Sequence, residues 1–337
     1  MMKRIFIFIL LAGIIVSCKK ETSSGFVVNN NLQINDTTWN NSTSFQSIAK
    51  EITEDISLTE LVDTVMVSNI GIDDDDKIFN NDSYRVSIPK SSLVNSITNK
   101  TFTKGAVKIK LQATTTRGNL VRNFCSSFVN GHQSQCVGFF NLSIYYSDTL
   151  LNVKPGNFVH LLVKDSLINP IFKTVSLFKG NGYDVTDDNF AWGIDSSSYK
   201  NLTYWDLQGS NTHNGYDIKL SKFGWISLLA QDNSPVNVNN KINVYLPVNF
   251  TNKNTLVYAV QGGTKNLARL NADFPSRTFS LNNLPFAQGV TLISISKIDH
   301  KYYLGNSTVN YNTHQTIFNV VPQEVSIANI IDYLNNL

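Results

Sequence analysis

The stretch 84–136 constrains this chain most. Tyr84, Val86 and Ile88 alternate with polar neighbours and run into Pro89, and Val107, Ile109 and Leu111 alternate with Lys108, Lys110 and Gln112. A period of two sends successive side chains to opposite faces of a strand, so each segment buries one face and wets the other. With Gly105 as the turn between them, the two strands read as one layer of a β-sandwich. Cys125 and Cys136 close the stretch on either side of Asn130-Gly131, a dipeptide that favours a two-residue hairpin.

The same pattern recurs to the end of the chain. Strands are predicted over 139–146, 157–163, 174–178, 216–220 and 223–226, then over 242–248, 255–260, 277–281, 290–298, 302–304 and 316–320. Asn, Ser, Thr and Gly separate them, which suits many short strands joined by turns. Ser234-Pro235 with Asn237, Asn239 and Asn240 marks a boundary. The predicted fold is therefore all-β, with a first β-sandwich domain over 65–233 and a smaller one over 234–337. The spacing of the later strands suggests an immunoglobulin or transthyretin type. Ile327, Ile330, Ile331 and Leu334 fall at helical spacing and predict a short C-terminal helix. Phe45, Ile48, Ala49, Ile52 and Ile56 predict another over 44–55.

The N-terminus predicts the compartment. Lys3 and Arg4 precede an apolar run, 5–16, of 12 residues. A membrane-spanning helix needs about 20, so 1–17 is expected to be a secretory leader. Ile15-Val16-Ser17-Cys18 resembles the bacterial lipobox, which implies that Cys18 is lipidated and becomes the mature N-terminus. Residues 18–64 are then a polar tether carrying the short helix. Ser17-Cys18-Lys19-Lys20 is similar to lipoproteins of Bacteroidota, which implies an outer-membrane protein on the periplasmic face or cell surface. In that oxidising compartment a disulfide between Cys125 and Cys136 is expected. It would stabilise by roughly 3 kcal/mol in the chain-entropy model.

Little in the sequence points to catalysis. The chain has 28 basic and 25 acidic residues. Two of the cations fall in the leader, so no nucleic-acid footprint is left. No Gly-x-Ser-x-Gly elbow and no phosphate-cradling Gly loop is present. The acids Asp73 to Asp76 are contiguous and lack the Gly turn of a calcium loop, so they read as a solvated loop. His160 sits in an apolar run and is expected to be a satisfied core or edge residue. No cofactor and no metal site is expected. The best ligand-binding candidates are Trp192, Tyr204, Trp205 and Tyr216, whose flat faces suit sugar rings. Trp225, after Gly224, reads as core. The expectation is a non-enzymatic, lipid-anchored envelope protein that binds a protein partner, with a glycan-binding surface lipoprotein as the alternative. Exposed coplanar aromatics would favour the glycan, and an exposed edge strand or apolar patch would favour the partner.

Ser87-Ile88-Pro89, the 105–109 strand, Asn119-Leu120-Val121-Arg122 and Gly224-Trp225-Ile226, in this order, resemble a group of Bacteroidota lipoproteins without an established activity. Their early part is similar to the β-sandwich domain of ankyrins and netrin receptors, where an Ile-Pro pair ends a strand. The resemblance covers 65–229 and departs at the two cysteines and at Ser227-Leu228-Leu229. It implies a β-sandwich and an envelope location, and it adds no site residue.

Overall fold

The structure is a computed structural model. It describes residues 39–40, 45–58, 60–67, 83–129, 131–164, 175–182, 185, 190–206, 212–231, 240–262, 265–285, 287–312 and 314–337. The leader with Cys18, the acidic run 73–76 and the boundary at 234–235 lie outside the described residues.

Three helices are described: α1 (Phe45–Ile56), α2 (Arg117–Arg122) and α3 (Ile327–Asn335). The first half of the chain forms β1 (Leu61–Val67), β2 (Tyr84–Ser87), β3 (Leu93–Asn95), β4 (Gly105–Thr114), β5 (Phe128–Val129), β6 (His132–Tyr146), β7 (Thr149–Val153) and β8 (Val159–Lys164). Then come β9 (Val175–Gly180), β10 (Trp192–Ile194), β11 (Tyr199–Asp206), β12 (Thr212–Leu220) and β13 (Gly224–Gln231). The last part forms β14 (Lys241–Tyr245), β15 (Thr255–Gln261), β16 (Leu267–Asp273), β17 (Thr278–Asn282), β18 (Ala287–Ile298), β19 (Lys301–Tyr311), β20 (Ile317–Asn319) and β21 (Gln323–Val325). The fold is all-β with a short C-terminal helix, as the periodicity predicts.

Three sheets carry these strands. The first runs β1-β4-β6-β13-β9-β10, with β5 and β7 paired to β6 and β3 paired to β7. The second runs β11-β12-β8-β2, and the third runs β20-β14-β17-β16-β15-β18-β19-β21. A sandwich-like core lies between the first two sheets, where Val107, Ile109 and Leu111 of β4 meet Val159, Leu161 and Val163 of β8. The third sheet encloses a separate core around Ile242, Val244, Phe279 and Phe318. Only residues 320–322 separate its end strands β20 and β21, a reach of about 14 Å at most. The sheet must therefore curl until its edges are close.

A middle layer joins the halves. On β6 and β13, Phe140, Leu142, Ile226 and Leu228 face the sandwich core, while Phe139, Trp225 and Leu229 face the other way. Strand β15 does the same: Val257 and Ala259 enter the third core, and Leu256, Tyr258 and Val260 enter the middle layer. A strand covered on both faces reads as a continuous apolar run, which explains Leu256 to Val260. Between the β layers lie Ile48, Ile52 and Ile56 of α1, Leu120 and Val121 of α2, and Ile330 and Leu334 of α3. Arg122 Nε ties α2 to α1 by donating to the Ile56 carbonyl at 2.7 Å. Residues 38–337 consequently form one compact unit. Helix α1 belongs to it, and so does Trp39, which packs on Phe279 with ring centroids 5.4 Å apart. The packed body thus starts well before residue 65.

Two expectations fail here. Strands β2 and β4 are not one layer: β2 pairs with β8 in the second sheet, and β4 pairs with β1 and β6 in the first. Alternation reports which face is buried, and it is silent on which sheet a strand joins. The disulfide is also absent, because Cys125 and Cys136 are buried free thiols. Asn130 lies outside the described residues, but a hairpin does form at Gly131, which has φ 80°, with Val129 opposite His132. Its ladder ends after Ser134 N–H donates to the Ser127 carbonyl. There Ser127 N–H turns to the Leu267 carbonyl of β16, and Phe124 at φ 53° leads the chain back into α2. Cys136 stays in β6 opposite Leu229. Cys125, in the connection between α2 and β5, and Cys136, on β6, both fill the middle layer. Burial, with Cys136 nearby, pushes the Cys125 thiol well up from its ordinary value.

Candidate functional site

Strand β14 places Ile242 and Val244 in the third core and turns Asn243 and Tyr245 outward. Edge strand β20 lies parallel to it, with Asn243 beside Ile317 and Tyr245 beside Asn319. The register continues where Val320 N–H donates to the Tyr245 carbonyl at 3.0 Å. Phe318 and Val320 therefore point inward, and Ile317 and Val321 point out. The turn closed by Phe250 N–H on the Pro247 carbonyl follows β14 and carries Val248. Tyr245 is 39% exposed, Ile317 58%, Val321 62% and Val248 83%. Nine large apolar side chains are exposed among the described residues, and four of them belong to β14, β20 and the residues that directly follow these two paired strands. A polar rim flanks them, where Lys241 Nζ meets Asp273 Oδ2 at 2.5 Å. That hydrogen bond holds the Asp273 carboxyl below its ordinary range.

A second edge, β1, also exposes apolar side chains, Val62 and Met66. It is less open to strand addition, since the Asp63 carboxylate accepts the Thr64 N–H at 2.7 Å. Occupying edge donors in this way is one means by which proteins blunt sheet edges.

The aromatic residues are mostly spent on packing. Tyr216 of β12 is fully buried in the sandwich core, and Trp225 is buried in the middle layer. Trp192 is on strand β10 and half-buried, its ring 5.1 Å from Phe139 and 5.0 Å from Phe190. Tyr204 and Trp205 belong to strand β11, where their backbones pair with Asn214 and His213; their side chains lie outside the described residues. The four candidates are thus divided among a core, a packing layer and an edge strand. They form no platform of exposed rings among the described residues.

His160 is satisfied, as expected, but in neither core nor edge: its Nδ1 lies 2.9 Å from Asp217 Oδ1 on the outer face of β8, which runs between β12 and β2. Ser87 is opposite His160 across the ladder. Ser87 is buried. Among the described residues no three His, Cys, Asp or Glu side chains converge as a metal site.

The edge patch had a signal in the sequence. Ile317, Phe318, Val320 and Val321 are apolar at both parities of a very short strand. One parity fills the core, so the other must be exposed or covered by something else. Comparison with protein-family models, curated proteins and solved structures finds no match for this chain.

Proposed function

We propose that the chain is a non-enzymatic lipoprotein, anchored in the outer membrane through Cys18 and working at the periplasmic face or cell surface. It binds a protein partner through the patch of Tyr245, Val248, Ile317 and Val321. The observation that carries this reading is that four of the nine exposed large apolar side chains among the described residues belong to the paired strands β14 and β20 and the residues directly after them, since apolar patches mark interaction surfaces. Fully burying a Val or Ile gives about 1.5–3 kcal/mol, and about two thirds of that remains to be gained here, so the three aliphatic residues supply roughly 3–6 kcal/mol of gross stabilisation. Association costs on the order of 4–15 kcal/mol. The patch is therefore the centre of a larger interface, with the polar rim at Lys241 and Asp273 contributing to its edge. No helix among the described residues is long and apolar enough to cross a membrane, which leaves attachment to the lipid on Cys18 in this reading.

The test uses the tagged full-length chain expressed in its own envelope, cross-linked, and purified beside the Ile317→Lys/Val321→Lys variant. Exposed positions tolerate such changes within about 0.5 kcal/mol, so the variant should fold and fractionate like the parent. The partner should be recovered with the parent and lost with the variant. Equal recovery with both would sink the proposal.

A further inference from the structure

A cavity of about 390 Å³ opens at one end of the sandwich formed by the first two sheets, lined by Lys179, Lys222, Ser197 and Ser221 on its polar side. Lys179 is there because of strand parity. Val175 and Leu177 of β9 enter the sandwich core, and Lys179, two residues on, continues the same inward stripe where the sheets part. Its backbone is fixed on both sides, opposite Ile226 of β13 and Gly193 of β10. An ammonium at a core-facing position is costly unless something compensates its charge.

Lys222 comes from the turn between β12 and β13. That turn is held by Ser221 N–H donating to Ser198 Oγ at 3.0 Å, and by Phe223, which is buried in the sandwich core. Neither lysine makes an ion pair among the described contacts. Burial, and then the charge of Lys222, draw the Lys179 pKa below the ordinary lysine range; Asp195 acts against this. Asp195 is occupied by its own loop. Its Oδ1 accepts from Ser197 N–H at 2.9 Å, Ser197 Oγ at 2.7 Å and Ser198 N–H at 3.3 Å. Ser197 Oγ and Ser221 Oγ are 2.8 Å apart. Because Ser197 spends its proton on Asp195, Ser221 is the donor in that contact, and the serines form a hydrogen-bonded chain beside the two lysines.

The remaining wall is apolar. Asn157 N–H donates to the Lys154 carbonyl at 2.9 Å, and Gly156 has φ 83°, the value a type II turn requires after its proline. This turn presents Pro155 to the cavity beside Val153 and Phe223.

We propose that this cavity binds a small organic oxyanion. A phosphate, sulfate or carboxylate group sits between Lys179 and Lys222, and its carbon body lies against Val153, Pro155 and Phe223. The volume falls within the roughly 300–1,000 Å³ of small-molecule pockets, and a bare ion would fill little of it. The site is on the first two sheets and does not depend on the patch of the third.

The full-length chain in detergent is titrated calorimetrically with glucose 6-phosphate, glucuronate, inorganic phosphate and neutral glucose. Melting temperatures are followed in parallel. Glucose 6-phosphate or glucuronate should saturate one site and raise the melting temperature, and glucose should do neither. Lys179→Met should weaken binding by about tenfold or more, as loss of a charged hydrogen-bond donor does. Without ligand the same variant should melt higher, because an apolar side chain continues the stripe and the repulsion with Lys222 is gone. Lys222→Gln, at an exposed turn, gives the same affinity test without touching the core. Inorganic phosphate binding as tightly as both organic anions would overturn the organic ligand. Absence of saturable binding by any anion, or equal affinity in both variants and the parent, would overturn the site itself.

Discussion

Replacing Gly118 by Ala should unlock the helical part of the middle layer. Gly118 is buried on α2, and a Cβ built there would lie 1.6 Å from the Leu334 carbonyl oxygen and 2.4 Å from its carbonyl carbon. The obstacle is the backbone of α3, so no side-chain rotation relieves it. Restoring ordinary contact needs a displacement of about 2 Å. Such a shift partly unseats Ile330 and Leu334, both buried in the middle layer. Full burial of each is worth about 1.5–3 kcal/mol, so losing half of both costs roughly 1.5–3 kcal/mol. Against this, Ala is favoured over Gly within a helix by up to about 1 kcal/mol. The net expectation is a destabilisation of about 1–2 kcal/mol, in the range typical of overpacking. With a urea slope of about 2–3 kcal/mol/M, the unfolding midpoint should fall by roughly 0.3–1 M. Circular dichroism and tryptophan fluorescence during urea unfolding would measure it. Gly193→Ala is the control, since nothing lies within 4 Å of a Cβ there, and it should change stability by less than about 0.5 kcal/mol. An unchanged or higher midpoint for Gly118→Ala would refute the close helix contact.

Three further outcomes are expected. Alkylation in denaturant without reductant should label both Cys125 and Cys136, while the folded chain reacts slowly because both thiols are buried; a linked peptide pair would contradict this. Asp55, which accepts hydrogen bonds from Tyr302 and Lys297, is held below its ordinary value of 3.8, chiefly by the Tyr302 hydrogen bond. Its contribution is complete above that value and is lost as pH falls through the lower folded value. Asp55→Asn should therefore be less stable than the parent near neutrality, with the gap closing in acid, and a pH-independent gap would count against the link. Cys18→Ala should move the protein from the membrane to the soluble fraction, and retention in the membrane would remove the lipid anchor from the proposal.

Strand positions were legible because each buries one face, and a period of two survives most local noise. The segments 139–146, 255–260 and 290–298 all fall within observed strands. The pattern misled at 242–248, where alternation runs past the end of β14 into the turn that exposes Val248. Helix α2 was missed because six residues are too few to show a helical period. Its one local signal is Thr116, whose side chain accepts the Asn119 N–H at 3.3 Å and caps the helix. Strand β16 was missed because Leu267 and Ala268, adjacent in sequence, are both buried on opposite faces. The middle layer was invisible for a different reason: it brings residues near 50, 120, 258 and 330 together, and no local pattern encodes such pairing. The same holds for the two cysteines, whose even number and hairpin spacing suggested a bond that the path of the chain at Phe124 prevents. Lys179 was readable in principle, as a lone cation in the stripe of Val175 and Leu177, yet its partner Lys222 is known only from the fold.

The central claim is that the edge of the third sheet is where a protein partner docks. The most direct measurement places a photo-cross-linking residue at Ile317 in the full-length chain in living cells, with the same probe at Ile97 for comparison. Ile97 is 78% exposed, more than Ile317, and lies in the turn after β3, away from the patch. A discrete adduct of one protein formed from position 317 and absent from position 97 is the predicted result. The same adducts from both positions, or none from position 317, would contradict it.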